Sequence, residues 1–175
     1  MTMIGSTRGP VVSSDVLSSP RLAGQVKRYH TWPVLRPQTV AEHAWRVATL
    51  YCEVWGTPRA EVLYWCLHHD SGELLAGDVP FHGKRHSTAL AEAVNAVERD
   101  GLVATGLVMP LLTDDELRRA KAADLLEMWE FGRQEMTMGN RYAEPIVASC
   151  VGALDKLMTG HADGDAVERR LGGRP

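Results

Sequence analysis

The residues best suited to chemistry follow an apolar run. VLYWCL, residues 62–67, leads directly into His68, His69 and Asp70, and Glu73 and Asp78 come soon after. Imidazoles and carboxylates are the side chains that hold cations and move protons near neutral pH. Consecutive His-Asp is a weak motif by itself. Its meaning depends on what other parts of the chain bring to it.

Two further segments put polar groups on apolar faces. Val40, His43, Ala44, Val47, Tyr51 and Val54 recur at helical spacing, which predicts that His43 faces the core. Leu117, Lys121, Asp124, Leu125, Met128 and Phe131 form a second such stripe, which predicts a carboxylate and an ammonium on an inner face one turn apart. Buried charges need partners. A Lys121–Asp124 salt bridge would satisfy that pair, and a lone core histidine needs only a hydrogen bond. Neither accounts for His69 and Asp70. If His43, His69, Asp70 and Asp124 converge, they form a mixed nitrogen and oxygen set suited to Zn²⁺, Mn²⁺ or Co²⁺, with Mg²⁺ a further option. Such an ion lowers the pKa of a bound water toward about 7. Glu73, three residues after Asp70, is the candidate to position or deprotonate that water; the alternative is a solvated acid at a helix end. Asp78, within Gly77-Asp78-Val79-Pro80, is on its own a turn former.

Helices must deliver these groups. Thr39-Val40-Ala41-Glu42 reads as a capping box opening a helix to about Trp55. Thr57-Pro58 marks a second start, and the segment to Asp70 is apolar nearly all round, which predicts a helix at the centre of a bundle. His86 to Arg99 is a third helix. Thr113-Asp114-Asp115-Glu116 is another capping box, opening a helix to about Met136. Residues 141–159 form a fifth, delayed or bent by Pro145, and a shorter helix precedes Lys27. No alternating strand pattern competes, so the expected fold is all-α, a single helical bundle. Residues 1–15 read as a flexible arm, 16–160 as the domain, and 161–175 as a tail with one short helix in AVERRL.

Composition narrows the partners. The chain has 175 residues and a formal net charge of -3, which disfavours a broad nucleic-acid surface but allows a cationic pocket for a small anion. Its longest apolar run is far below the roughly 20 residues of a membrane span. The start of the chain lacks the layout of an export signal, and the 3 cysteines are an odd number with no close pair. These features predict a soluble cytoplasmic protein with a small-molecule substrate.

The order His43, His69-Asp70, Asp124 resembles the ligand order of HD-domain phosphohydrolases. RYHTWPVLRPQTVAEH (28–43), HDSGELLAGDVP (69–80) and KAAD (121–124) are similar to motifs of the YfbR-type 5'-deoxynucleotidases and of phage-encoded dATP triphosphohydrolases. The resemblance spans roughly residues 20 to 160. It implies an HD-domain bundle with His43, His69, Asp70 and Asp124 as metal ligands, and with Glu73 and Asp78 at the reacting centre. It also implies that Arg28, Lys84 and Lys121 meet phosphates, with Tyr29 against the sugar and Thr31 beside base and sugar. Tyr29 is a departure, because the deoxynucleotidases carry Trp there. His30, His82 and His86 are candidate proton donors to the departing oxygen. The implied activity is hydrolysis of a deoxynucleoside triphosphate, dATP favoured, to deoxynucleoside and triphosphate. The alternatives are a 5'-deoxynucleotidase acting on monophosphates and a catalytically silent nucleotide-binding regulator. A homo-oligomer, dimer or hexamer, is expected by the same likeness, in the host cytoplasm if the chain is phage-encoded.

Overall fold

The computed structural model describes residues 19–172, so the arm expected at 1–15 lies outside the described residues. It is helical, with one two-stranded ladder. α1 (Pro20–Ala23) is the short helix expected before Lys27. β1 (Lys27–Arg28) pairs antiparallel with β2 (Gln38–Thr39), Lys27 opposite Thr39 and Arg28 opposite Gln38. Two-residue strands carry no periodicity, so the sequence did not announce them. Their pairing anchors Arg28 beside the start of the next helix.

α2 (Val40–Trp55) begins as expected at Thr39, whose hydroxyl accepts from the Glu42 N–H. Only half of the capping box forms, because the Glu42 carboxylate pairs with Arg36 and Arg46 instead of turning back. α3 (Ala60–His68) starts later than Thr57-Pro58 predicted and stops before Asp70, where a 3-10 turn (Ser71–Leu74) takes over. The helix expected over 86–99 is α5 (Thr88–Ala104), and a short helix the sequence did not announce, α4 (Phe81–His86), precedes it. Extended Ser87 divides them and caps the second by accepting from the Leu90 N–H. α6 (Asp114–Thr137) opens on a complete Thr113–Glu116 capping box. A 3-10 turn (Arg141–Ala143) leads into α7 (Glu144–Met158), with Pro145 in its first turn, where a missing N–H costs nothing.

The centre of the bundle is α6, not α3. α3 buries only Val62 and Cys66, whereas α6 buries Ala120, Ala122, Ala123, Leu126, Glu127, Trp129, Phe131, Gly132 and Glu135. Ala122, Leu126 and Trp129 of α6 pack with Leu50 of α2 and with Cys150 and Leu154 of α7. Ala120 and Ala123, on another face, pack with Val47 and Tyr51 of α2 and with Val62 and Cys66 of α3. Alanines have little hydropathy, but their small size lets two neighbours approach closely, which decides which helix is central. The deep face of α6 therefore runs through Ala120, Ala123, Glu127 and Phe131, and Lys121 is exposed instead of facing inward. No Lys121–Asp124 ion pair forms among the described residues.

The stretch after residue 160 is not a loose tail. α8 (Gly164–Leu171) contributes fully buried Val167 and Leu171 to the same core as Leu154 and Met158. No helix among the described residues is long and apolar enough to cross a membrane.

The 3-10 turn meets α5 backbone to backbone. A Cβ at Gly72 would lie 2.2 Å from the Glu98 carbonyl oxygen, and one at Gly101 would lie 2.3 Å from the Gly72 oxygen. Neither contact can open by rotating a side chain. Gly101→Ala is expected to destabilise the protein by about 1–3 kcal/mol through overpacking, read as a lower urea midpoint. An unchanged midpoint would contradict the close approach.

Candidate metal centre and adjoining pocket

His43 is fully buried on α2, held there by the apolar stripe around it. Its Nδ1–H donates to Oε2 of Glu127 at 2.5 Å, and the other oxygen of Glu127 accepts from Gln38 Nε2 at 2.7 Å. His69, at the end of α3, donates Nδ1–H to the Cys66 carbonyl at 3.0 Å. Both partners are pure acceptors, so each Nε2 is left with a lone pair. Each Nε2 is buried without a hydrogen-bond partner.

Those lone pairs face carboxylates. His43 Nε2 lies 3.1 Å from Asp124 Oδ1 and 3.5 Å from Asp70 Oδ2, while His69 Nε2 lies 3.4 Å from Asp70 Oδ1 and 3.9 Å from Asp124 Oδ1. A lone pair opposite an anionic oxygen is repulsive unless positive charge sits between them. Ligand atoms of His43, His69 and Asp124 all fall within 4.8 Å of one another, a group able to hold a metal ion. Asp70 touches both imidazoles and also accepts from Arg28 NH1 at 2.5 Å. The nitrogen and oxygen donors suit a borderline divalent ion, and the Nδ1 partners fix both rings in the metal-binding tautomer.

Electrostatics point the same way. Burial disfavours the imidazolium of His69, but Asp70 and Asp124 outweigh it and push the pKa up to about 9. His43 is also raised, burial and Arg28 opposing Asp124 and Glu127. Against the burial penalty, the two histidines hold Asp124 well below the usual carboxylate range, and His69, Arg28 and His43 lower Asp70. The centre attracts positive charge, as proton or as metal.

Beside it opens a pocket of about 960 Å³. Arg28, Tyr29, Thr31, Glu73, Asp78 and Lys84 all line it, together with Asp70 and Asp124. Glu73 sits on the 3-10 turn with Oε2 buried and unpartnered. Burial, reinforced by Asp70, raises its pKa to about 9, which favours the protonated carboxyl in the metal-free centre, and a cation beside it would oppose that shift. Asp78 accepts the Tyr29 N–H at 3.0 Å. Tyr29 has φ 56, a conformation costing about 1–3 kcal/mol for a residue with a side chain. Its ring stacks on Phe131 at 4.6 Å and 3°. Lys84 pairs with Glu98 at 3.4 Å.

Lys121 does not line this pocket; it lies on a separate cleft with His69 and Asp124. Of the candidate proton donors, His82 and His86 line the pocket and His30 is an exposed residue outside it. Sequence reasoning missed Glu127 and Gln38, whose buried contact orients His43. It also missed the apolar wall of Ile146, Ser149, Cys150 and Ala153 on α7, although their spacing of three, four and seven was visible.

Because Glu127 fixes the tautomer of His43, Glu127→Ala should weaken metal binding roughly 10–100-fold, measured by competition with a chromophoric chelator. Unaltered affinity would leave Glu127 a packing residue. Glu73 also has a signature in the metal-free protein. Its folded pKa lies above the ordinary 4.5, so the folded state retains a proton that the unfolded state loses, and stability should fall as pH rises from 4.5 to about 9. His69 adds a decline of the same sign between 6.5 and about 9. In urea titrations across this range, Glu73→Gln should abolish the decline between 4.5 and 6.5 and make the decline above 6.5 shallower, leaving the part due to His69.

The HD domain family model matches residues 24–159, which include the whole candidate centre. No curated protein matches the chain. Among solved structures, the cyanophage S-2L HD phosphohydrolase DatZ, bound to dA and one catalytic Zn²⁺ ion, is similar, with a TM-score of 0.64. Identity is 18%, and the match covers 87% of this chain and 89% of DatZ. A family match over most of its length, with His43, His69-Asp70 and Asp124 inside the matched region, shows that the chain belongs to the HD-domain family.

Proposed function

We propose that the chain is a metal-dependent phosphohydrolase of deoxynucleotides, acting on a deoxynucleoside triphosphate at the α-phosphorus and releasing deoxynucleoside and triphosphate. The carrying observation is the pair of buried, unpartnered imidazole nitrogens facing Asp70 and Asp124 at the wall of a nucleotide-sized pocket. His43, His69, Asp124 and Asp70 would hold a divalent ion, which when bound would supply Lewis acidity to lower the pKa of a water and to polarise a phosphoryl oxygen. Glu73, beside Asp70, takes the proton of the attacking water. Arg28 stands where it can pass from Asp70 to a phosphate oxygen, and its Nε is buried without a partner. Tyr29, stacked on Phe131, offers a rigid face to the sugar, and the wall of Leu125, Met128, Ile146 and Cys150 is apolar enough for a base. The adenine preference rests on the dA bound by the cyanophage protein.

A second reading, a 5'-deoxynucleotidase, draws support from one observation. Arg28 is partly neutralised by Asp70 and Lys84 by Glu98, and Lys121 lies outside the large pocket, which leaves Arg85 as its cation without a carboxylate partner among the described residues. Incubating the protein with Co²⁺ or Mn²⁺ and each dNTP and dNMP, then resolving products by chromatography, separates the readings. Inorganic triphosphate as product supports the first; orthophosphate from monophosphates alone supports the second. No turnover while nucleotide still binds would indicate a silent regulator. In the active case Asp124→Ala should lose both metal and activity. Glu73→Gln should keep the metal and lose at least about 100-fold in kcat, and full activity in that variant would remove its role.

A further inference from the structure

The larger pocket is not the only cavity that meets the candidate metal centre. A second cleft of about 620 Å³ opens where α6 and α7 meet the end of α3. Asp124, Leu125 and Ala153 line both cavities, so the two meet at a candidate metal ligand. Lys121 precedes Asp124 by three residues on α6, and Lys156 follows Ala153 by three on α7. Helical spacing thus sets each lysine one turn beyond the shared wall, on facing helices. Both line the second cleft and neither lines the first.

Two features separate this cleft from ordinary surface. Among the described residues neither lysine makes an ion pair; in the larger pocket Arg28 and Lys84 are each bound to a carboxylate, and Arg85 lies over the Phe81 ring. The cleft is also lined by His69, whose Nε2 is buried and unpartnered and whose ring is held flat against Trp65 at 4.7 Å and 9°. Trp65, Leu125, Ala153 and Leu157 make most of the cleft apolar, and Lys121 and Lys156 are its cations.

Resting on the hydrolase reading above, we propose that the second cleft receives the terminal phosphates of an oligophosphate chain, and that Lys156, across from the Lys121 already expected to meet phosphate, discriminates triphosphates from monophosphates. The nucleoside occupies the larger pocket, the α-phosphate lies at the junction by Asp124, and the remaining phosphates extend past His69 between the lysines. A lysine is a point charge on a flexible stem, suited to a chain of phosphates that presents no fixed plane. The cations whose shortage in the larger pocket favoured the monophosphate reading are thereby found on the other side of the centre.

The test is binding of dATP and dAMP to metal-loaded protein in the Glu73→Gln background, where hydrolysis does not consume the ligand, with and without Lys156→Ala. Removing a charge facing several phosphates should weaken dATP about tenfold and dAMP by less than about twofold. Lys156→Arg should recover most of the dATP affinity, and Lys156→Glu should weaken it beyond Lys156→Ala. Equal weakening of both nucleotides, or unaltered dATP affinity, would overturn the proposal. The parent protein separates the two claims: without turnover of any nucleotide the hydrolase reading fails, while a Lys156-dependent preference for dATP still supports the cleft.

Discussion

The contact between His43 and Glu127 governs the rest of the site. Both residues are almost fully buried, and a buried carboxylate persists only where donors satisfy it. Gln38 and His43 are those donors, one per oxygen. By claiming Nδ1, Glu127 leaves His43 a single free nitrogen directed at the carboxylates of Asp70 and Asp124. The Cys66 carbonyl does the same for His69. The centre is thus assembled from the inside outward, with the outer partners deciding what the inner ones can bind.

Packing makes this possible. Small residues on α6 let α2 and α3 close on one side and α7 on another, so a single long helix holds Asp124 and Glu127 between its neighbours. The ladder of β1 with β2 sets Arg28 against Asp70 and carries Gln38 to Glu127. Glu135 accepts backbone N–H groups from Leu35 and Arg36 and a side-chain N–H from Asn140, tying the loop between the strands to the far end of α6. Tyr29 keeps its unusual backbone because Asp78 takes its N–H and Phe131 supports its ring. The strain is local and its supports come from distant parts of the chain.

Much of this was legible in the sequence. His43 stood out as a polar residue on an apolar stripe, and the resemblance to HD-domain phosphohydrolases grouped it with His69, Asp70 and Asp124. The capping box at Thr113 and the delayed start at Pro145 were readable because they depend on neighbours in the chain. What escaped was set by tertiary contacts. Glu127 resembles any solvated helix acid until Gln38 and His43 are seen beside it. Lys121 was assigned inward because alanines at 120, 122 and 123 contribute little to a hydropathy stripe, although their size makes theirs the deep faces of α6. Hydrophobicity also points to α3 as central, although it fully buries only Val62 and Cys66 and leaves Leu67 exposed.

The last helix has a practical bearing. The matched family region ends at 159, yet Val167 and Leu171 of α8 cover part of the surface formed by Leu50, Leu154 and Met158. A version truncated at that family boundary would bare an oily seam along α2 and along α7, the helix whose Cys150 and Lys156 reach the two cavities. Its solubility would suffer before its chemistry was ever assayed, so the segment beyond the recognisable domain is best regarded as the lid of the core.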